Sequence, residues 1–199
     1  MNKLFAAGGI AASVILIVFG IGTIVVSVVG RSDVRDAIDR ENIVGTPDMT
    51  PKLTQAAVNE AKLDVAVPSC SAAGVDVQTG SQAKCFADYM RIHTLEATGG
   101  KTYSEMPRFL GKDGQPTADE QQAAVNPKSG EPVSNPQRDI WVTETALSTA
   151  LNTSYFAEQV SLFSLIVGVA LLLSGIGFLV LTLGLRRRET TRVPAMAAG

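Results

Sequence analysis

One histidine, two cysteines and one tryptophan leave this 199-residue chain with few of the side chains on which many metal and redox sites are built. His93 stands alone, which rules out sites needing several histidines and any set of repeated Ser–His–acid triads. Its expected place is a helix surface or domain packing, ahead of a general base or pH sensor. Covalent haem attachment is excluded, because no Cys-x-x-Cys-His occurs. No carboxylate pair stands out, Asp88 and Glu96 being scattered along one segment, and Gly99-Gly100 lacks the strand-to-helix setting of a phosphate loop. The chain is therefore expected to have no catalytic residue, no cofactor and no metal, and to be no enzyme.

Charge is missing from two long stretches. From Leu4 to Gly30 and from Val160 to Leu185, runs of 27 and 26 residues, there is no Asp, Glu, Lys, Arg or His. About 20 apolar residues suffice to cross a bilayer as a helix. The first run is too long for a cleaved signal peptide and ends Ser27-Val-Val-Gly-Arg31 without an Ala-x-Ala exit, so it reads as an uncleaved anchor. The second lacks a preceding Leu-Pro-x-Thr-Gly and is not a wall-sorting signal. With no ionisable residue at membrane depth, transport is poorly supported.

The net charge of −2 conceals an asymmetry. Residues 31–159 hold 12 Lys/Arg against 18 Asp/Glu, whereas the short tail carries Arg186, Arg187, Arg188 and Arg192 against Glu189, and Lys3 lies at the other end. Short basic flanks stay in the cytoplasm. The expected organisation is a cytoplasmic N-terminus (1–3), a first span (4–30), an extracytoplasmic domain (31–159), a second span (160–185) and a cytoplasmic tail (186–199), in the cell membrane. The arginine cluster reads as a topology signal ahead of a specific anionic-lipid site, and an acidic outer region argues against nucleic acid.

Cys70 and Cys85 both fall in the exported region, where an even pair reads as a disulfide. Two free buried thiols are the competing reading, and metal binding is weaker because the spacing is not Cys-x-x-Cys.

Along the chain, the first helix is expected to continue to about Asn42 and stop before Gly45-Thr-Pro47, with Asp33, Asp36 and Asp39 on a solvated face rather than in a cation site. Thr50-Pro51 caps a short helix to about Ala61. Leu63–Val67 alternates as a strand does, with Val75-Asp-Val77 as a possible partner. Residues 83–97 have helical spacing and end at Gly99-Gly100. Thr117-Ala-Asp-Glu120 reads as a capping box opening a helix to about Val125, followed by a loop to Pro136. From Asn135-Pro136 a single helix of about 50 residues is expected, half of it in lipid. Asn152-Thr-Ser154 is a glycosylation triplet by pattern, but on that helix it reads as chance. Trp141 reads as the main aromatic of the outer core, with Tyr89 and Phe109 as candidate neighbours in a core or pocket. Tyr155 and Phe156 sit where an interfacial belt belongs.

Small residues recur every seven positions in both runs: Ala6, Ser13, Gly20 and Ser27 (joined by Gly9), and Ser161, Gly168, Gly175 and Thr182 (with Ser164 beside them). Such stripes let helices approach closely in lipid, and the period suits a left-handed crossing. The fold class expected is mainly α: two antiparallel transmembrane helices, zipped through Ser13, Gly20, Ser27, Ser161, Gly168 and Gly175, with a small, mostly helical extracytoplasmic domain between them.

The stretches Asn42-Ile-Val-Gly-Thr-Pro-Asp-Met-Thr-Pro51 and Asp139-Ile-Trp-Val-Thr-Glu-Thr-Ala-Leu-Ser-Thr-Ala-Leu-Asn-Thr-Ser-Tyr-Phe-Ala-Glu158, with Gly175-Ile-Gly-Phe178, resemble a group of uncharacterised two-span membrane proteins of actinobacteria. Some members carry the label of an aromatic ring-opening dioxygenase. Such an enzyme needs several His and carboxylate ligands for iron, and His93 is the only histidine. The resemblance implies a bacterial inner-membrane setting and adds no known activity. The expected role is a non-enzymatic accessory or assembly subunit, embedded in the bilayer, whose outer domain binds another membrane or envelope protein or a second copy. The alternative is extracytoplasmic ligand binding or sensing, and an enzyme built on a folded carboxylate cluster comes third.

Overall fold

The computed structural model describes residues 3–191. The mainly α class is observed: four helices, α1 (Lys3–Asp39), α2 (Pro51–Glu60), α3 (Gly80–Ala97) and α4 (Pro136–Thr191), with two short strands, β1 (Phe109–Leu110) and β2 (Pro116–Thr117). The chain divides into two compact units. One comprises the residues up to Asp33 with those from Ala157 onward, and the other is Val34–Phe156.

In the first unit α1 and α4 run antiparallel, as their partners show. Gly9 faces Thr182, Gly20 faces Gly168 and Leu172, and Ser27 faces Ser161, so positions rise along one helix as they fall along the other. Both helices are long and apolar enough to cross a membrane. Their large side chains point outward: Phe5, Val26, Phe163 and Leu181 are each more than 60% exposed, while Ser13 is fully buried. This is the reverse of a soluble pair, which would bury its large residues.

The second unit is built around α3. Thr79 closes its N-terminus with a capping box, its hydroxyl accepting from Gln82 N at 3.3 Å while Gln82 Oε1 accepts from Thr79 N at 3.0 Å. The helix therefore begins three residues before the expected Ala83. Gly99 and Gly100, at φ +62° and +77°, end it, and Gly100 N bonds back to Leu95 O at 2.7 Å. Thr50 caps α2 as expected, accepting from Leu53 N. α4 reaches 56 residues, starting where Asn135 Oδ1 accepts from Gln137 N. α1 ends at Asp39, three residues short of Asn42, which sits at φ +50°.

Two expectations are corrected. Leu63–Val67 forms no strand: Leu63 and Val65 turn inward onto Leu95, Met106 and Trp141, but their backbone has no ladder partner. Val75–Val77 pairs instead with Ile43–Gly45, through Gly45 N to Val75 O at 3.1 Å and Val77 N to Ile43 O at 2.9 Å. Gly45 is required there, because a Cβ would run into the Ala72 carbonyl.

The helix expected from Thr117 shrinks to one 3-10 turn, Glu120–Gln122. Thr117 lies opposite Phe109 in the β1–β2 pair, and Ala123 is drawn into a bridge with Gly111. Leu110 N then bonds Val133 O, and Val133 N bonds Ala124 O. The expected loop before Pro136 is thus the arm of a small antiparallel ladder. Ladder bonds from distant residues outweigh a local capping signal.

Candidate functional site

The stripe residues form the seam of the first unit. Ala6, Ser13, Gly20, Ser27, Gly168 and Gly175 are all buried, and Ser161 is half-buried. A Cβ at Gly168 would lie 2.8 Å from Ile24 Cγ1 and 3.0 Å from Gly20 O; one at Gly175 would lie 2.9 Å from Ile17 N and Ser13 O. Only glycine fits where backbones come this close. Hydroxyls finish the seam: Ser13 Oγ donates to Gly9 O at 2.7 Å and Ser27 Oγ donates across to Ser161 O at 2.5 Å. Arg31 Nε then meets Glu158 Oε1 at 3.2 Å, with the Glu158 carboxylate 6% exposed.

Four other glycines in the same helices face open space. A Cβ on Gly8 or Gly22 of α1, or on Gly177 or Gly184 of α4, would meet no atom within 4 Å. Gly22 lines a shallow apolar cleft of about 420 Å³ with Val18, Phe19, Thr23, Val26 and Ser164.

In the second unit, Cys70 and Cys85 are joined as a disulfide. The bond lies in a cluster with Met49, Ala72 and Tyr89. Tyr89 is fully buried, and its hydroxyl donates to Cys70 O at 2.5 Å; burial pushes its pKa up. Closing this loop stabilises the domain by about 3 kcal/mol on chain-entropy grounds. Reduction, or Cys70→Ser with Cys85→Ser, is expected to lower the unfolding free energy by about that amount, read from the fluorescence of Trp141 during urea unfolding of the full chain in detergent.

The three aromatics expected together do not share a site. Tyr89 belongs to the disulfide cluster, Trp141 packs with Leu95 and Met106, and half-buried Phe109 sits in β1 beside the Arg108 guanidinium. Tyr89 and Leu95 are six positions apart on α3, which turns them to different faces. Trp141 is nevertheless buried, 7% exposed, with the Arg91 guanidinium 4.0 Å from its ring centre.

Arg91 also reaches Glu144 Oε2 at 3.4 Å, and Ser148 Oγ donates to Glu144 Oε1 at 2.6 Å, so this 3% exposed carboxylate is compensated. His93 is half-buried on α3, its Nε2 3.1 Å from Asp48 Oδ2. The hydroxyl of Thr46 is the main reason that the Asp48 carboxyl sits below its usual range, with His93 a lesser one. Among the described residues no three His, Cys, Asp or Glu side chains gather as metal ligands.

Two acids that no sequence motif marks, Glu144 and Glu158, are buried. Their signal is periodic: Glu144, Leu151 and Glu158 recur at the seven-residue interval of the small-residue stripe, and all three are buried.

The second unit carries an apolar groove of about 570 Å³. Ile38, Ile43, Phe86, Met90, Leu147 and Leu151 form its walls. Ala37 and Ala150 leave it open, and Glu41 and Ser154 are its only polar lining residues. Two of its lining residues, Ile38 and Leu151, belong to the buried core that they form with Val77, Ala83 and Ala87.

Arg186 and Arg187 are exposed near the end of α4. The side chains of Lys3 and Arg188, and the tail beyond Thr191, lie outside the described residues. Comparison with protein families, with curated proteins and with solved structures finds no match.

Proposed function

We propose that this chain is a two-span protein of the cell membrane, with both ends cytoplasmic and residues 31–159 outside. In this reading it is an accessory or assembly subunit, without enzymatic activity of its own, that engages another membrane or envelope protein or a second copy. The open glycines carry it. Gly20, Gly168 and Gly175 are used up in the internal seam, but Gly8, Gly22, Gly177 and Gly184 meet nothing. Gly8 and Gly22 lie fourteen residues apart and Gly177 and Gly184 seven, so each pair shares a face of its helix. Glycine contributes nothing to lipid contact and lowers helix propensity, whereas it favours close approach of another helix. The basic tail supports the orientation, and the disulfide supports an oxidising compartment for the domain.

The test is recovery of the tagged full chain from native membranes in mild detergent, followed by identification of co-purifying proteins. A partner, or a stable second copy, is expected for the native chain and is expected to be lost in Gly22→Leu/Gly177→Leu. A chain that always runs alone would sink the proposal. The groove favours the second reading, extracytoplasmic ligand binding, and defines what kind of ligand that is.

A further inference from the structure

We infer that the groove between the end of α1, α3 and the start of α4 holds one acyl chain of a bilayer phospholipid. The inference rests on the proposed membrane location and goes beyond the accessory role. The lining fits hydrocarbon, with eight apolar residues, and its only ionisable member is Glu41. A charged or hydrogen-bonding ligand would find almost no partner there. Phe86 and Met90, both half-buried, stand one helical turn apart on α3; unbranched methionine adapts to irregular apolar guests. A volume of about 570 Å³ falls within the range of small-molecule sites.

Position in the chain selects the occupant. On α1, Ala37 follows Gly30, the last residue of the first apolar run, by seven residues; on α4, Ser154 precedes Val160 by six. Helical rise makes each of these about 10 Å of chain, so lipid is the abundant apolar species near the groove. A protein occupant is disfavoured by size, because ten lining residues fall short of the roughly 20–30 per side of a stable protein interface.

The full chain is reconstituted in vesicles of phosphatidylethanolamine and phosphatidylglycerol doped with a phospholipid bearing a diazirine at the end of one acyl chain. It is irradiated, digested and mapped by mass spectrometry. Labels are expected on Phe86, Met90 and Leu147 as well as in the two apolar runs. Ala37→Phe and Ala150→Phe, both at exposed groove positions, are each expected to cut the groove labels about tenfold, equivalent to about 1.4 kcal/mol. Labels in the apolar runs and Trp141 fluorescence should stay unchanged, which shows that each variant is folded. Labels confined to the apolar runs would overturn the inference while leaving the membrane reading standing. Groove labels indifferent to both fillings would also overturn it. No label anywhere would overturn the inference and the membrane reading together.

Discussion

Leucine at both Gly168 and Gly175 will abolish cross-linking between cysteines placed at Gly9 and Thr182. These positions face each other across the seam, at the end remote in sequence from the residues 34–156 unit. A Cβ alone at Gly168 or Gly175 would approach opposing backbone to 3.0 Å or closer, before the rest of a leucine is counted. Overpacking of this kind costs about 1–3 kcal/mol per site. Lipid supplies no hydrophobic drive to hold two helices together against that cost, since outside the seam they are as well solvated apart as together. The hydroxyl bond from Ser27 to Ser161 and the Arg31–Glu158 pair lie toward the other end of the seam and do not restore contact at Gly9. Gly177→Leu with Gly184→Leu should leave the cross-link intact, because those Cβ atoms enter open space. Equal cross-linking in all variants would contradict the seam.

Tyr89→Ala will cost the Val34–Phe156 unit about 3–5 kcal/mol of unfolding free energy, the range for truncating a buried large aromatic. Tyr89 has no exposed surface and packs against Met49, Ala72 and the disulfide. Truncation opens a cavity beside a cross-linked loop that has little freedom to collapse into it. Tyr89→Phe keeps the ring and removes only the bond to Cys70 O, so about 1 kcal/mol is expected. Trp141, the only tryptophan, reports both transitions from its place under Arg91. A loss below about 1 kcal/mol for the alanine variant would mean that the site repacks and that Tyr89 is not its keystone.

Features whose cause lies within one or two helical turns were legible in the sequence. Unbroken apolar runs, the Thr50-Pro51 cap, the Gly99-Gly100 stop and the seven-residue stripes each act through neighbours on the same helix, and each has its counterpart in the structure. Features decided by distant partners were not. Alternation in Leu63–Val67 correctly marks which side chains turn inward, but a strand also needs a neighbour, and Ile43–Gly45 has already paired with Val75–Val77. Thr117 does accept a local bond, from Asp119 N, yet the residues that would have continued the helix are taken by Gly111 and Leu110.

The groove was hidden for a related reason. Phe86 and Met90, and Leu147 and Leu151, read as ordinary core positions at i and i+4, and nothing local shows that Ala37 and Ala150 leave the space between them unfilled. Grouping Trp141, Tyr89 and Phe109 failed because shared aromatic character says nothing about which face of α3 each one meets.

Protease protection in spheroplasts decides where the polypeptide lies relative to the bilayer. The full chain, with an epitope tag after Gly199, is exposed to added protease before and after lysis. Before lysis, cleavage is expected in the exposed turn around Asn126–Gly130, with the tag left attached to a protected fragment containing residues 160–185. A tag removed from intact spheroplasts while residues 34–156 survive would contradict the account.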